Sequence, residues 1–169
     1  MYHSHVDEQR HHRAGLAGAI VVRDGPPAAP TSEHLFFIKS ARGSRGPFPM
    51  EINGQVNPDT VVLRVGRPYR FRFVNLAVTS PNATVHLTAR PDSSLENLRD
   101  TMHVQWRPMA KDGADLPEQS RALLPAQQLV SIGETYDFQV RPLAPGELRI
   151  EVRPVSAGRL FVRVPVRVE

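Results

Sequence analysis

An all-β sandwich or barrel is the fold class that this sequence predicts. Sixteen prolines and eleven glycines punctuate the 169 residues, and the short runs between them alternate apolar and polar side chains. Such period-two alternation is typical of strands that place one face on a core and the other in solvent. A chain of this length buries roughly two-thirds of its unfolded surface, so it can build a core without disulfides.

Four segments carry the clearest alternation, at residues 69–73, 136–140, 148–152 and 159–168. In the last of them Val162, Val164 and Val166 share one face, and arginines occupy much of the other. Arg70, Arg72 and Asp137 are likewise expected at outward positions. Further strands are predicted near residues 18–23, 33–39, 61–65, 84–89, 104–110 and 129–132, whereas helical periodicity is nearly absent.

The proline-rich stretch at residues 25–32 predicts a linker, because proline stiffens it and nothing in it can form a core. We therefore expect two units. Residues 1–30 hold a short N-terminal unit with its linker, and residues 31–169 form the β-domain.

Charge and cysteine content exclude several function classes. The net charge is +4, and the basic residues are almost all arginines spread along the chain rather than gathered into a patch, so nucleic acid is not an expected partner. No cysteine is present, which excludes disulfides, thiolate zinc sites and cysteine-ligated blue copper. No run of about 18 apolar residues predicts a membrane span, and the first residues do not resemble a signal peptide.

Four of the seven histidines lie among the first twelve residues. On a strand, His3 and His5 would point to one face about 6.6 Å apart, as two parallel imidazoles suited to copper, zinc, iron or nickel. A frayed tail with incidental histidines is the alternative. His11 and His12 are adjacent, so on a strand they face opposite ways and are expected in solvent. The remaining histidines are isolated and expected to be surface or half-buried residues: His34, His86 and His103.

The segment Tyr2-His3-Ser4-His5, followed by Gln9 and by GLAGAIVV at 15–22, closely resembles the end of the first cupredoxin domain of multicopper oxidases, the laccase-like family. The similarity continues in the family's order. The later segments resemble elements of its second cupredoxin domain: EING at 51–54, VGRPYRFRFVN at 65–75, AKDGADLP at 110–117 and IGETYDF at 132–138.

This resemblance implies a cupredoxin-like Greek-key β-sandwich, preceded by a remnant strand of a neighbouring cupredoxin domain. It also implies that His3 provides a ligand to one copper of a type 3 pair and His5 a ligand to the other. In the complete enzyme, copper would serve the oxidation of phenolic, aromatic-amine or metal donors with reduction of dioxygen to water. The family's members are periplasmic or extracellular.

The chain departs from the family's pattern in what it lacks. The family uses four histidine motifs and a type 1 cysteine, and this sequence has one motif and no cysteine. We therefore expect a truncated chain that is inactive alone, assign no catalytic residue, and expect missing cupredoxin domains or other chains as partners that complete the cluster. Self-association through the apolar residues 19–22 is a further expectation. The alternative function is a non-enzymatic cupredoxin-like module without copper, and an anion-binding β-domain ranks last.

Overall fold

The computed structural model describes residues 1–23, 25, 32–41, 50–78, 82–89, 102–155 and 160–169. Within these ranges the chain forms fifteen strands, one α-helix, α1 (Glu8–Ala14), and a 3-10 turn (Glu118–Ser120). The strands are β1 (Tyr2–His3), β2 (Ala17–Gly18), β3 (Glu33–Ser40), β4 (Met50–Ile52), β5 (Val61–Leu63), β6 (Tyr69–Leu76), β7 (Asn82–Ala89), β8 (Met102–His103), β9 (Gln105–Lys111), β10 (Ala114–Asp115), β11 (Leu124–Pro125), β12 (Gln127–Ser131), β13 (Thr135–Val140), β14 (Gly146–Pro154) and β15 (Val162–Val168). The predicted all-β class is confirmed.

Two sheets face each other across the core. The seven-stranded sheet has the order β10-β9-β13-β6-β3-β4 with β11 added on β9, and the six-stranded sheet has the order β12-β7-β14-β15-β5 with β8 added on β7. In the part of the chain that the structure describes, β3 runs parallel to β6 and β15 parallel to β5, while the other pairs are antiparallel. Strands distant in sequence are neighbours, as expected for Greek-key connectivity.

The core lies between the sheets and follows the alternation of the sequence. Along β15 every second residue, from Val162 to Val168, is buried and those between are exposed. From the opposite sheet, the Trp106 ring stacks on Phe138 with centroids 3.9 Å apart, and Phe73 packs beside both. The face assignments made from these strands are therefore confirmed.

The outer faces of both sheets are less solvated than the alternation predicts. Asp137, expected at a turn or outward position, lies on the outer face of β13 but is only 8% exposed, and on β14 both Glu151 and Arg153 are 2% exposed. His86, expected at the surface or half-buried, is also buried. The expectation that these positions face water was wrong, because period-two alternation gives the face of a residue and not what covers that face.

Residues 1–23 form a small unit that packs on the seven-stranded sheet. Strands β1 and β2 pair with each other, with Tyr2 opposite Gly18, where the tyrosine ring occupies the space that a Cβ would need. Met1, Ala17 and Ala19 cover the outer-face cluster Phe37, Val74 and Leu76. The strand predicted over residues 18–23 is shorter than expected, because only Ala17 and Gly18 pair with a neighbouring strand.

Helix α1 between β1 and β2 was not predicted. It ends at Gly15, which adopts φ +97°, and the amides of Gly15 and Leu16 donate to the carbonyls of His12 and His11. Glycine has no Cβ penalty in this left-handed conformation, so it stops the helix after two turns. The chain therefore returns to the sheet as β2, and the helix stays beside the first histidines.

A pH-dependent loss of stability is expected from His34 on β3. Its ring packs against Phe36, Tyr69 and Phe71 at centroid distances of 5.6 to 6.4 Å, and burial lowers the pKa of the imidazole below 6.5. Between that lowered pKa and pH 6.5 the unfolded chain binds a proton that the folded chain does not, so the free energy of unfolding falls as the pH falls. Thermal unfolding at about pH 7.5 and about pH 5.5 should show a smaller acid-induced loss for His34→Phe than for the wild type. An equal loss in both would contradict this role.

Candidate metal centre

His3 is the last residue of β1, and His5 lies on the loop that follows it. His3 pairs with Ala17 across the two-stranded sheet, and the amide of Ser4 donates to the carbonyl of Leu16 at 3.2 Å. The chain then bends away from β2, so His5 is not on a strand. The strand geometry considered for the two histidines from their spacing therefore does not extend to His5.

The two imidazoles are nevertheless brought together. Their ring centroids are 4.5 Å apart with an angle of 35° between the planes. His3 is half-buried, whereas the His5 side chain is 80% exposed. In the part of the chain that the structure describes, no group bonds to the Nε2 atom of either ring. Two neighbouring imidazoles with free nitrogen atoms suit transition-metal ions.

Helix α1 contributes two contacts to this pair, and a third to Ser4 between them, that the sequence did not reveal. Nε2 of His12 lies 3.1 Å from Nδ1 of His3, Nδ1 of His11 lies 2.8 Å from Oγ of Ser4, and a carboxylate oxygen of Glu8 lies 3.4 Å from Nδ1 of His5. His12 is 3% exposed, so the expectation that it faces solvent was wrong. On a helix, adjacent residues are turned by about 100°, and His12 therefore points inward to the pair.

The helix carries start and stop residues that mark it in the sequence. Asp7 and Glu8 stand where acidic residues favour a first turn, and Gly15 stands where a helix ends. Glu8 and His12 are four residues apart and thus share one face. A search for helix ends, rather than for apolar periodicity, would have found this helix and the shared face of Glu8 and His12, but not its position beside His3.

The donor set fits part of a copper site. Imidazole is a common ligand of copper, and the pair offers two such rings. No group of three or more metal-ligating side chains is assembled among the residues that the structure describes. The pair can therefore hold copper tightly only together with ligands from elsewhere, and weakly on its own.

A network of ion pairs joins the histidine-bearing segment to the β-sandwich. Arg23 is paired with Glu33 on β3, and Glu33 with Arg72 on β6 at 3.2 Å. Arg72 and Arg70 both contact Asp137 across the β6–β13 pair, Arg70 at 2.7 Å. Burial acts to raise the pKa of Glu33, but hydrogen bonds from Arg23 and Arg72 outweigh it and hold this pKa below 4.5.

The same network borders an opening between residues 19–23 and the sheet. This cavity has a volume of about 730 Å³ and is lined by apolar residues of the segment and by the charged side chains Arg23, Glu33, Arg72 and Asp137. Burial raises the pKa of the Asp137 carboxyl, and the two guanidiniums oppose that shift. Arg70 and Arg72, predicted as an outward pair, are thus outward but bound to a carboxylate.

The remaining histidines do not join the centre. His34 is part of the core edge on β3, and His86 is buried on β7. His103 belongs to β8, and its side chain lies outside the described residues.

A search of the described residues for a long apolar helix that could span a membrane finds none.

Comparison with known proteins identifies the fold by its structure and not by its sequence. No family model matches the chain, and no curated protein matches it by sequence. Among solved structures, it is similar to a multicopper oxidase with a TM-score of 0.61 and 14% identity, over 86% of this chain and 46% of that one.

Two further solved structures give the same result. The blue copper oxidase of Nitrosomonas europaea has a TM-score of 0.52 and 14% identity, over 86% of this chain and 47% of that one. The multicopper oxidase of Pediococcus acidilactici has a TM-score of 0.54 and 9% identity, over 91% of this chain and 29% of that one. The cupredoxin-like fold is therefore confirmed, and the chain spans less than half the length of these oxidases.

Proposed function

We propose that this chain is part of a multicopper oxidase, in which His3 and His5 each supply one imidazole to a type 3 copper pair. The observation that carries the proposal is the 4.5 Å separation of the two rings. The cupredoxin-like fold that holds them covers less than half the length of the multicopper oxidases to which it is similar. The Tyr2-His3-Ser4-His5 segment supplies the sequence support.

The packing of the described residues supports the proposed division of the chain. Residues 1–30 would close a first cupredoxin domain, and residues 31–169 would be the second. In support, β1 and β2 pair only with each other among the described strands, and they cover the outer face of the seven-stranded sheet rather than entering its core. The Arg23–Glu33 ion pair holds the two parts together.

Copper held at this pair would supply the reduction of dioxygen to water in the complete enzyme. The part played by this chain is to hold two ligands side by side, with His3 half-buried and His5 open to solvent. The absence of cysteine means that a type 1 copper, which accepts electrons from a small phenolic, aromatic-amine or metal donor, must belong to another domain or chain. A periplasmic or extracellular site of action is proposed with the family.

A non-enzymatic cupredoxin-like module is the second candidate. It is favoured by the lack of a third ligand near the pair in the described part of the chain. On this alternative the histidines are retained without a metal role, and the sandwich serves to pack against partners.

Copper binding separates the two candidates. Titration with Cu²⁺ should show one saturable site per chain in the wild type, and this site should be lost in the double variant His3→Ala, His5→Ala. Because His5 is exposed and no described strand pairing depends on either side chain, the melting temperature should change by less than about 2 °C.

Arg10→Ala is the matched control, since Arg10 is exposed on the same helix. It should bind copper as the wild type does. Binding that survives loss of both histidines would contradict the copper assignment, and a large drop in melting temperature would show that the imidazoles serve packing instead.

A further inference from the structure

One face of α1 meets both members of the histidine pair. Glu8 and His12 are one helical turn apart and so lie on the same side of the helix. Glu8 approaches Nδ1 of His5 at 3.4 Å, and His12 approaches Nδ1 of His3 at 3.1 Å. The same face of the helix thus contacts Nδ1 of both rings.

The contact of His12 is the stronger of the two because it is buried. The His12 and His3 rings meet edge to face, with centroids 4.8 Å apart and an angle of 88° between the planes. Nε2 of His12 also lies 3.1 Å from the carbonyl oxygen of Ser4. The His3 ring is therefore held on one side by a second ring that solvent hardly reaches.

The proton positions at this junction follow from the chemistry of the partners. A carbonyl only accepts, so the contact with Ser4 places a proton on Nε2 of His12, where Nδ1 of His3 can share it. A metal ion on Nε2 of His3 instead requires the proton on Nδ1 of His3, with His12 at 3.1 Å and the Ser4 carbonyl at 3.3 Å as acceptors. In both cases Nδ1 of His3 is engaged within the protein.

We propose that His12 and Glu8 are positioning residues that engage Nδ1 of His3 and of His5, and so make Nε2 the metal-binding atom of each ring. This inference rests on the proposed copper-binding function. The partner on the second ring nitrogen fixes the orientation and proton position of a metal-binding histidine, and its loss typically lowers metal affinity about 10- to 100-fold.

We expect the two positioning residues to affect metal affinity by different amounts. His12 is buried, so His12→Ala should weaken metal binding by about tenfold or more. Glu8 and His5 are both exposed, so Glu8→Gln should weaken it only about two- to fivefold. The His12→Gln variant keeps an acceptor and a donor in reach of His3 and Ser4, and should restore most of the affinity.

The experiment uses Zn²⁺, a diamagnetic ion that also prefers imidazole. Nitrogen-15 chemical shifts of the histidine rings in the full chain report which nitrogen binds the ion, and a titration gives the dissociation constant. In the wild type and in Arg10→Ala, His3 and His5 should bind through Nε2. In His12→Ala, His3 should lose this preference and the affinity should fall, while the dispersed amide spectrum shows that the sandwich is folded.

The possible results separate the positioning role of His12 from the proposed copper binding. If His12→Ala binds Zn²⁺ with the same nitrogen and the same affinity as the wild type, the positioning role is wrong and the copper proposal stands. Coordination of His3 through Nδ1 in the wild type would also overturn the positioning role. If the wild type shows no saturable binding of either Zn²⁺ or Cu²⁺, or if binding survives in His3→Ala, His5→Ala, the copper proposal itself fails.

Discussion

Replacing Trp106 by alanine is expected to lower the free energy of unfolding by about 4 kcal/mol. The indole is 1% exposed and lies between the sheets, stacked on Phe138 at 3.9 Å and beside Phe73 at 5.9 Å. Truncation removes the buried apolar surface of the largest side chain in the core and leaves a cavity that two rigid aromatic rings cannot fill by moving.

Urea unfolding followed by far-ultraviolet circular dichroism measures this effect. Leu143→Ala is the control, because Leu143 is 85% exposed and its loss should change the free energy of unfolding by less than about 0.5 kcal/mol. Similar small effects for the two variants would show that β9 and β13 do not form the centre of the core as described.

Replacing Asp137 by alanine should cost about 3 kcal/mol of stability, the second-largest effect. Asp137 is the carboxylate that Arg70 and Arg72 share across β6 and β13, and its side chain is 11% exposed. Its removal leaves the Arg72 guanidinium, 16% exposed, with Glu33 as its remaining ion-pair partner. A poorly solvated charge that has lost a partner accounts for the cost.

Asp115→Ala tests whether burial is the cause. Asp115 also pairs with Arg70, at 3.6 Å, but its side chain is 71% exposed, so its loss should cost less than about 1 kcal/mol. Equal effects of the two substitutions on the free energy of unfolding would mean that solvent screens the network and that it does not stabilise the sheet.

The alternating strands could be predicted because their two faces meet different surroundings. On β15 every second residue enters the core, and the sequence shows that period directly. On β13 the period correctly places Asp137 opposite to Phe138, but it carries no information on the segment that covers the outer face. That cover is a tertiary contact, which a pattern within one strand cannot encode.

The histidine pair could be predicted from spacing, but its surroundings could not. The i, i+2 spacing indicated two neighbouring imidazoles, and the rings are indeed adjacent, although a bend rather than a strand brings them together. His12 was missed since α1 has seven residues, too few for an apolar period to emerge. Its position beside His3 depends on the turn at Gly15 and on the pairing of β1 with β2.

X-ray absorption at the copper edge, on the chain loaded with one equivalent of copper, tests most directly whether His3 and His5 bind copper. With one copper ion per chain, both neighbouring rings are available to the same ion, so we expect scattering from two imidazole rings in the wild type, from one ring in either single variant, His3→Ala or His5→Ala, and from none in the double variant. An unchanged number of imidazole rings in the double variant would place the copper on other ligands and contradict the account.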